Sequence, residues 1–143
     1  VLLARFRSAG DAVLVATMSF WEGVDVPGYA LRLVVIDKIP FAVPSDPIVA
    51  ARCALLEQEG GNPFLEYSVP MAAITLKQGF GRLVRTTRDG GIVAILDRRV
   101  TTRSYGRVLL GSLPQTIRLR TLDEVGAFHK AVHASTPQQG LSW

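Results

Sequence analysis

The sequence predicts an α/β fold, a mostly parallel sheet covered by helices and incomplete at its N-terminus, within 143 residues. Three observations carry this. The runs 12–17 (AVLVAT), 31–37 (LRLVVID) and 92–97 (IVAILD) are continuously apolar rather than alternating, as in parallel strands covered on both faces. Helical stretches separate the strands, as crossover connections require. The chain opens on Val1 with residues that already read as a helix, so a portion upstream is expected.

In chain order, residues 1–9 place Leu2, Leu3 and Phe6 among Arg5 and Arg7, the end of an amphipathic helix that closes at Gly10. A first strand is expected over 12–17 and a second over 31–37. Two helices follow, 46–59 and 70–85, each with a proline near its start, where a missing N–H does little harm. The third strand, 92–97, leads to a helix over 102–110 that Pro114 stops. A last helix over 122–134 starts from a Thr121 or Asp123 cap. Residues 1–134 therefore read as one domain, and 135–143, rich in Pro, Gln and Gly, as a flexible tail.

Composition narrows the function classes. Hydrophobic residues make up 48% of the chain, enough for a core and against disorder. No apolar run approaches the ~20 residues of a membrane span, and no leader pattern precedes the domain, so a cytoplasmic location is expected. Cys53 is the only cysteine, which excludes an intrachain disulfide and a four-thiolate zinc or iron–sulfur site, and reads as an inert buried thiol. The net charge of +4 is unevenly spread: eight basic residues against Asp89 and Asp97 lie between Lys77 and Arg107. Such a cluster attracts phosphates.

In open α/β sheets ligands gather at the carboxyl ends of strands. The loop Ser19-Phe-Trp-Glu-Gly-Val-Asp-Val-Pro-Gly28 directly follows the first strand. Gly23 and Gly28 permit close backbone approach, and Glu22 and Asp25 stand beside the rings of Phe20 and Trp21. The segment Gln78-Gly-Phe-Gly-Arg-Leu-Val-Arg85 spaces Gln78, Arg82 and Arg85 by four and three, one face of a helix. Gly81 removes a side chain on the approach to that face, so a phosphate fits between two guanidiniums that bind it in a bidentate way. Asp97 with Arg99 reads as a structural ion pair at a strand end, and His129 and His133 as a solvated pair without a third metal ligand.

Gln-x-x-Gly-Arg-x-x-Arg resembles motif VI of superfamily 2 helicases, and Phe-x-Glu-Gly-x-Asp resembles motif V of their DinG/XPD branch, in the same order. Ile39-Pro-Phe-Ala-Val-Pro-Ser-Asp-Pro47 is similar to the proline-rich loop of that branch. Asp97-Arg-Arg99, Tyr105-Gly106 and Ser112-Leu-Pro114 are similar to its closing segment. The likeness runs from about Leu14 to Pro114.

The resemblance implies a RecA-like second motor domain, the C-terminal half of an ATP-dependent DNA helicase working in repair or replication. Neither Gly-x-x-x-x-Gly-Lys-Ser/Thr nor Asp-Glu-x-His occurs in the 143 residues, so the resemblance leaves the Mg²⁺ ligands and catalytic base to an N-terminal RecA-like domain, and predicts no ATP hydrolysis by this segment alone. Any iron–sulfur cluster of the parent would lie outside the segment too. By position, Arg82 and Arg85 are implied as arginine fingers and Gln78, Gly81, Gly23 and Asp25 as the ATP side of the cleft. Ser19, Phe20, Trp21 and Glu22 are implied contacts to single-stranded DNA, moved with 5′ to 3′ polarity. The competing reading is a non-catalytic nucleic-acid-binding module or degenerate fragment.

Overall fold

The structure, a computed structural model, describes residues 2–18, 31–83 and 91–134, with the backbone alone at 82–83 and 132–134. Helix α1 (Leu2–Ala9) ends at Gly10, whose φ of 73° is the left-handed conformation that closes a helix without a Cβ penalty. Residues 12–17 then run irregularly and do not form the expected strand; Val13 is 88% and Val15 91% exposed. A strand takes its stability from a hydrogen-bonded neighbour and covering side chains, which apolar composition alone does not supply. Among the described residues the ladder joins only two strands.

Those strands, β1 (Leu33–Ile36) and β2 (Ile92–Ile95), pair in parallel with Leu33 opposite Ile92 and Ile36 opposite Ile95. The N–H of Leu96 donates to the Ile36 carbonyl at 2.9 Å and extends the ladder at the carboxyl end. Among the described residues, helix cover falls on the side of the sheet that Val34 and Ile36 face. Side chains alternate along a strand: Val34 and Ile36 turn inward, whereas Leu33 and Val35 are 51% and 53% exposed.

Helix α2 (Pro47–Gln58) lies between the strands in sequence. Asp46 caps it: one carboxylate oxygen accepts from the N–H groups of Ile48 (2.9 Å) and Val49 (3.2 Å), and Pro47 takes the first helical position. No residue of α2 is fully buried, and Val49, Cys53 and Leu56, half-buried at helical spacing, form its inward stripe. The chain re-enters a helix at Asn62, whose side chain accepts from Leu65 N–H (3.1 Å) while Glu66 accepts from Asn62 N–H (2.7 Å). A π-helical turn, Phe64–Ser68, opens this helix and passes into α3 (Val69–Leu83). Val69 N–H closes the turn on the Phe64 carbonyl, and the widened turn falls directly before Pro70, which has no N–H to give.

Helix α3 supplies the core. Val69, Ala72, Ala73, Leu76 and Phe80 recur at helical spacing and are buried, and the helix packs against both strands. Ile36, Ile39, Val100 and Leu109 complete the cluster. After β2 the expected single helix is two: α4 (Arg99–Thr102) and α5 (Gly106–Gly111). The second helix starts against the first, where only glycine fits: a Cβ at Gly106 would stand 2.0 Å from the Val100 carbonyl oxygen. Helix α6 (Leu122–Ala134) begins with a reciprocal cap from Thr121: its hydroxyl accepts from Glu124 N–H (3.2 Å), and Glu124 accepts from the N–H groups of Thr121 (3.2 Å) and Arg120 (2.6 Å). The tail, 135–143, lies outside the described residues. Among the described residues no helix is long and apolar enough to cross a membrane.

Candidate nucleotide and nucleic-acid site

Helix α3 is amphipathic by construction, and its buried stripe decides what remains outside. With Ala72, Ala73, Leu76 and Phe80 turned to the core, Met71, Ile74, Gln78 and Gly81 are exposed. Gln78 therefore presents its amide to solvent, one turn ahead of position 82 in the same unbroken helix. A Cβ built on Gly81 meets nothing within 4 Å, so no internal contact requires glycine there. The structure thus brings Gln78, Gly81 and the backbone of Arg82 together on the last turns of α3. Arg85 lies outside the described residues, as do Ser19, Phe20, Trp21, Glu22, Gly23 and Asp25.

At the carboxyl ends of the two strands a carboxylate organises the exits. Asp97 accepts from Ile39 N–H (3.0 Å), from Arg99 N–H (3.0 Å) and from the Arg99 guanidinium, through Nε at 3.0 Å and Nη2 at 2.6 Å. The Arg99 guanidinium first, and the Ile39 N–H next, hold the Asp97 carboxyl well below the usual carboxylate range. Its role is the structural pairing read from the sequence, with one addition: it ties the loop after β1 to the loop after β2. Cys53 is half-buried in α2. Among the described residues no three His, Cys, Asp or Glu are grouped to hold a metal ion.

Beside this carboxylate stand three aromatic rings, among them Phe41, a candidate for base stacking from the sequence; their grouping is not legible there, because the positions are far apart in the chain. Phe41, from the loop after β1, lies 5.5 Å from Phe64 and 5.8 Å from Tyr105, and Phe64 lies 5.2 Å from Tyr105. Tyr105 meets both phenylalanines edge-on, the arrangement that aromatic quadrupoles favour. The Arg99 guanidinium sits 5.6 Å over the Phe41 ring. The cap at Asn62 was also missed, although Asn62-Pro63 with Glu66 is a helix-start signal legible in the sequence.

The helicase C-terminal domain family matches residues 1–116. Among similar proteins, the ATP-dependent DNA helicase YoaA of Escherichia coli K12 is 53% identical over 121 residues, 85% of this chain and 19% of its own. YoaA of Haemophilus influenzae is 50% identical over 127 residues, 89% of this chain and 20% of its own. The 3′-5′ exonuclease DinG of Bacillus subtilis is 46% identical over 115 residues, 80% and 12% respectively. The chain thus spans no more than a fifth of the length of these relatives.

Proposed function

Since this chain belongs to the helicase C-terminal domain family, we propose that it is the RecA-like second motor domain of an ATP-dependent DNA helicase, over residues 1–134 with 135–143 as a flexible tail. Its work is to complete an ATP site whose phosphate-binding loop and Mg²⁺ ligands belong to an N-terminal RecA-like domain. The observation that carries this reading is the exposed turn of α3 bearing Gln78 and Gly81 directly ahead of Arg82. Gln78 offers an amide for orienting a nucleotide or an attacking water. The open space at Gly81 admits a phosphate close to the helix.

Arg82 and Arg85 then act as arginine fingers, stabilising the charge that develops on the transferring phosphoryl group, a function suited to a planar and permanently charged fork. Gly23 and Asp25 complete the nucleotide side of the cleft, and Ser19, Phe20, Trp21 and Glu22 contact single-stranded DNA. Mg²⁺, held by ligands of the N-terminal domain, would supply neutralisation of phosphate charge. Closure and opening of the cleft move the strand.

The test is DNA-stimulated ATP hydrolysis by the complete polypeptide carrying this domain. Arg85→Ala is expected to lower turnover by ~10³-fold or more while nucleotide binding survives. Normal turnover in that variant removes Arg85 from the finger role.

A further inference from the structure

We propose that the aromatic cluster at the carboxyl ends of the strands is a contact site for single-stranded nucleic acid, with Phe64 as a stacking ring and Arg103 and Arg107 as phosphate contacts. The proposal rests on the helicase reading above and adds a surface to it, separate in sequence from the loop 19–22.

Phe41 and Tyr105 are packed against the core, and Arg99, itself fixed by Asp97, covers one side of Phe41. These contacts hold Phe64 in place without hiding it: the residue remains 42% exposed at the start of the π-helical turn. An aromatic ring that is both immobilised and open is what base stacking needs, because little freedom is lost when a base arrives. Irregular turns of this kind recur at functional positions in helices.

The segment that carries Tyr105 is basic, with Arg98, Arg99, Arg103 and Arg107 against Asp97, whereas the turn that carries Phe64 adds one carboxylate, Glu66, held on the Asn62 N–H. Arg103, in the turn after α4, and Arg107, in the first turn of α5, stand two residues to either side of Tyr105, and both are exposed. Among the described residues no carboxylate pairs with either, since Asp97, the sole acidic residue between 97 and 120, is engaged by Arg99. Exposed guanidiniums flanking Tyr105, whose ring meets that of Phe64, combine the two elements of sequence-tolerant strand binding, phosphate attraction and stacking.

The experiment uses the complete polypeptide carrying this domain and a fluorescent oligothymidylate, titrated without ATP at several salt concentrations. Phe64→Leu, which keeps an apolar side chain in the cluster, is expected to weaken binding at least about fivefold. The double variant R103Q/R107Q, confined to exposed positions, is expected to reduce the slope of log affinity against log salt by about 1.4. An oligonucleotide containing 5-iododeoxyuridine should crosslink to the peptide bearing Phe64. Wild-type affinity and salt slope in both variants, with crosslinks only elsewhere, would overturn the proposal and return the rings to packing alone. The unsubstituted protein separates the two readings: DNA-stimulated ATP hydrolysis alongside unaffected variants removes only this surface, whereas absence of DNA binding and hydrolysis in the parent removes both.

Discussion

A glycine inside a helix costs roughly 0.5–1 kcal/mol relative to alanine, and at Gly81 nothing in the fold returns that cost, since the space around it is open. Gly81→Ala in the 143-residue chain is therefore expected to raise stability by about that amount in urea unfolding. In the complete polypeptide the same methyl group should lower ATP turnover, because it occupies the approach assigned to a phosphate. Unchanged turnover would leave this glycine unexplained. Asp97 behaves in the opposite way. Asp97→Ala leaves the N–H of the buried Ile39 without its acceptor, a loss of about 1–3 kcal/mol. Because its pKa is lowered on folding, its contribution is fully present above the unfolded value near ~3.9. That contribution is lost only as pH falls below that value toward the folded one. Acid titration of wild type and Asp97→Ala should show a constant stability difference from pH 7 to 5 that shrinks in stronger acid.

Elements whose ends carry their own chemistry were legible in advance. Asp46 with Pro47 marks the start of α2, Gly10 the end of α1, and Thr121 the start of α6, because each acts through bonds to residues a turn away. The two paired strands were legible from apolar runs of the right length. What failed depends on neighbours distant in sequence. The run 12–17 has strand composition and no strand, since composition does not name a partner. The helix read over 102–110 starts only at Gly106, which lies against Val100 in a contact that helix propensity does not encode. Gly106→Ala should accordingly destabilise at or beyond the ~1–3 kcal/mol typical of overpacking. A neutral effect by thermal unfolding would mean that α4 and α5 separate easily. The π-helical turn is a local feature, with Pro70 just beyond it as its visible correlate in the sequence.

At the scale of the whole molecule, one core draws on both strands and α3, α4 and α5, with Leu76 at its centre, 1% exposed. Leu76→Ala is expected to cost about 2–5 kcal/mol, in a single cooperative transition by circular dichroism. Leu33→Thr, at a position 51% exposed, should change the stability of the 143-residue chain by no more than about 0.5 kcal/mol. Equal effects of the two would contradict a core centred on α3. Family membership was readable from the motif order, whereas the ring cluster emerged only from the fold, which brings positions 41, 64 and 105 together.

The carboxylate of Asp97 also has a kinematic consequence. By gripping Ile39 with one oxygen and Arg99 with both, it yokes the two segments that leave the sheet. A push on one is delivered to the other, and through Arg99 to the ring of Phe41. Any displacement of one exit segment is therefore expected to carry the other with it.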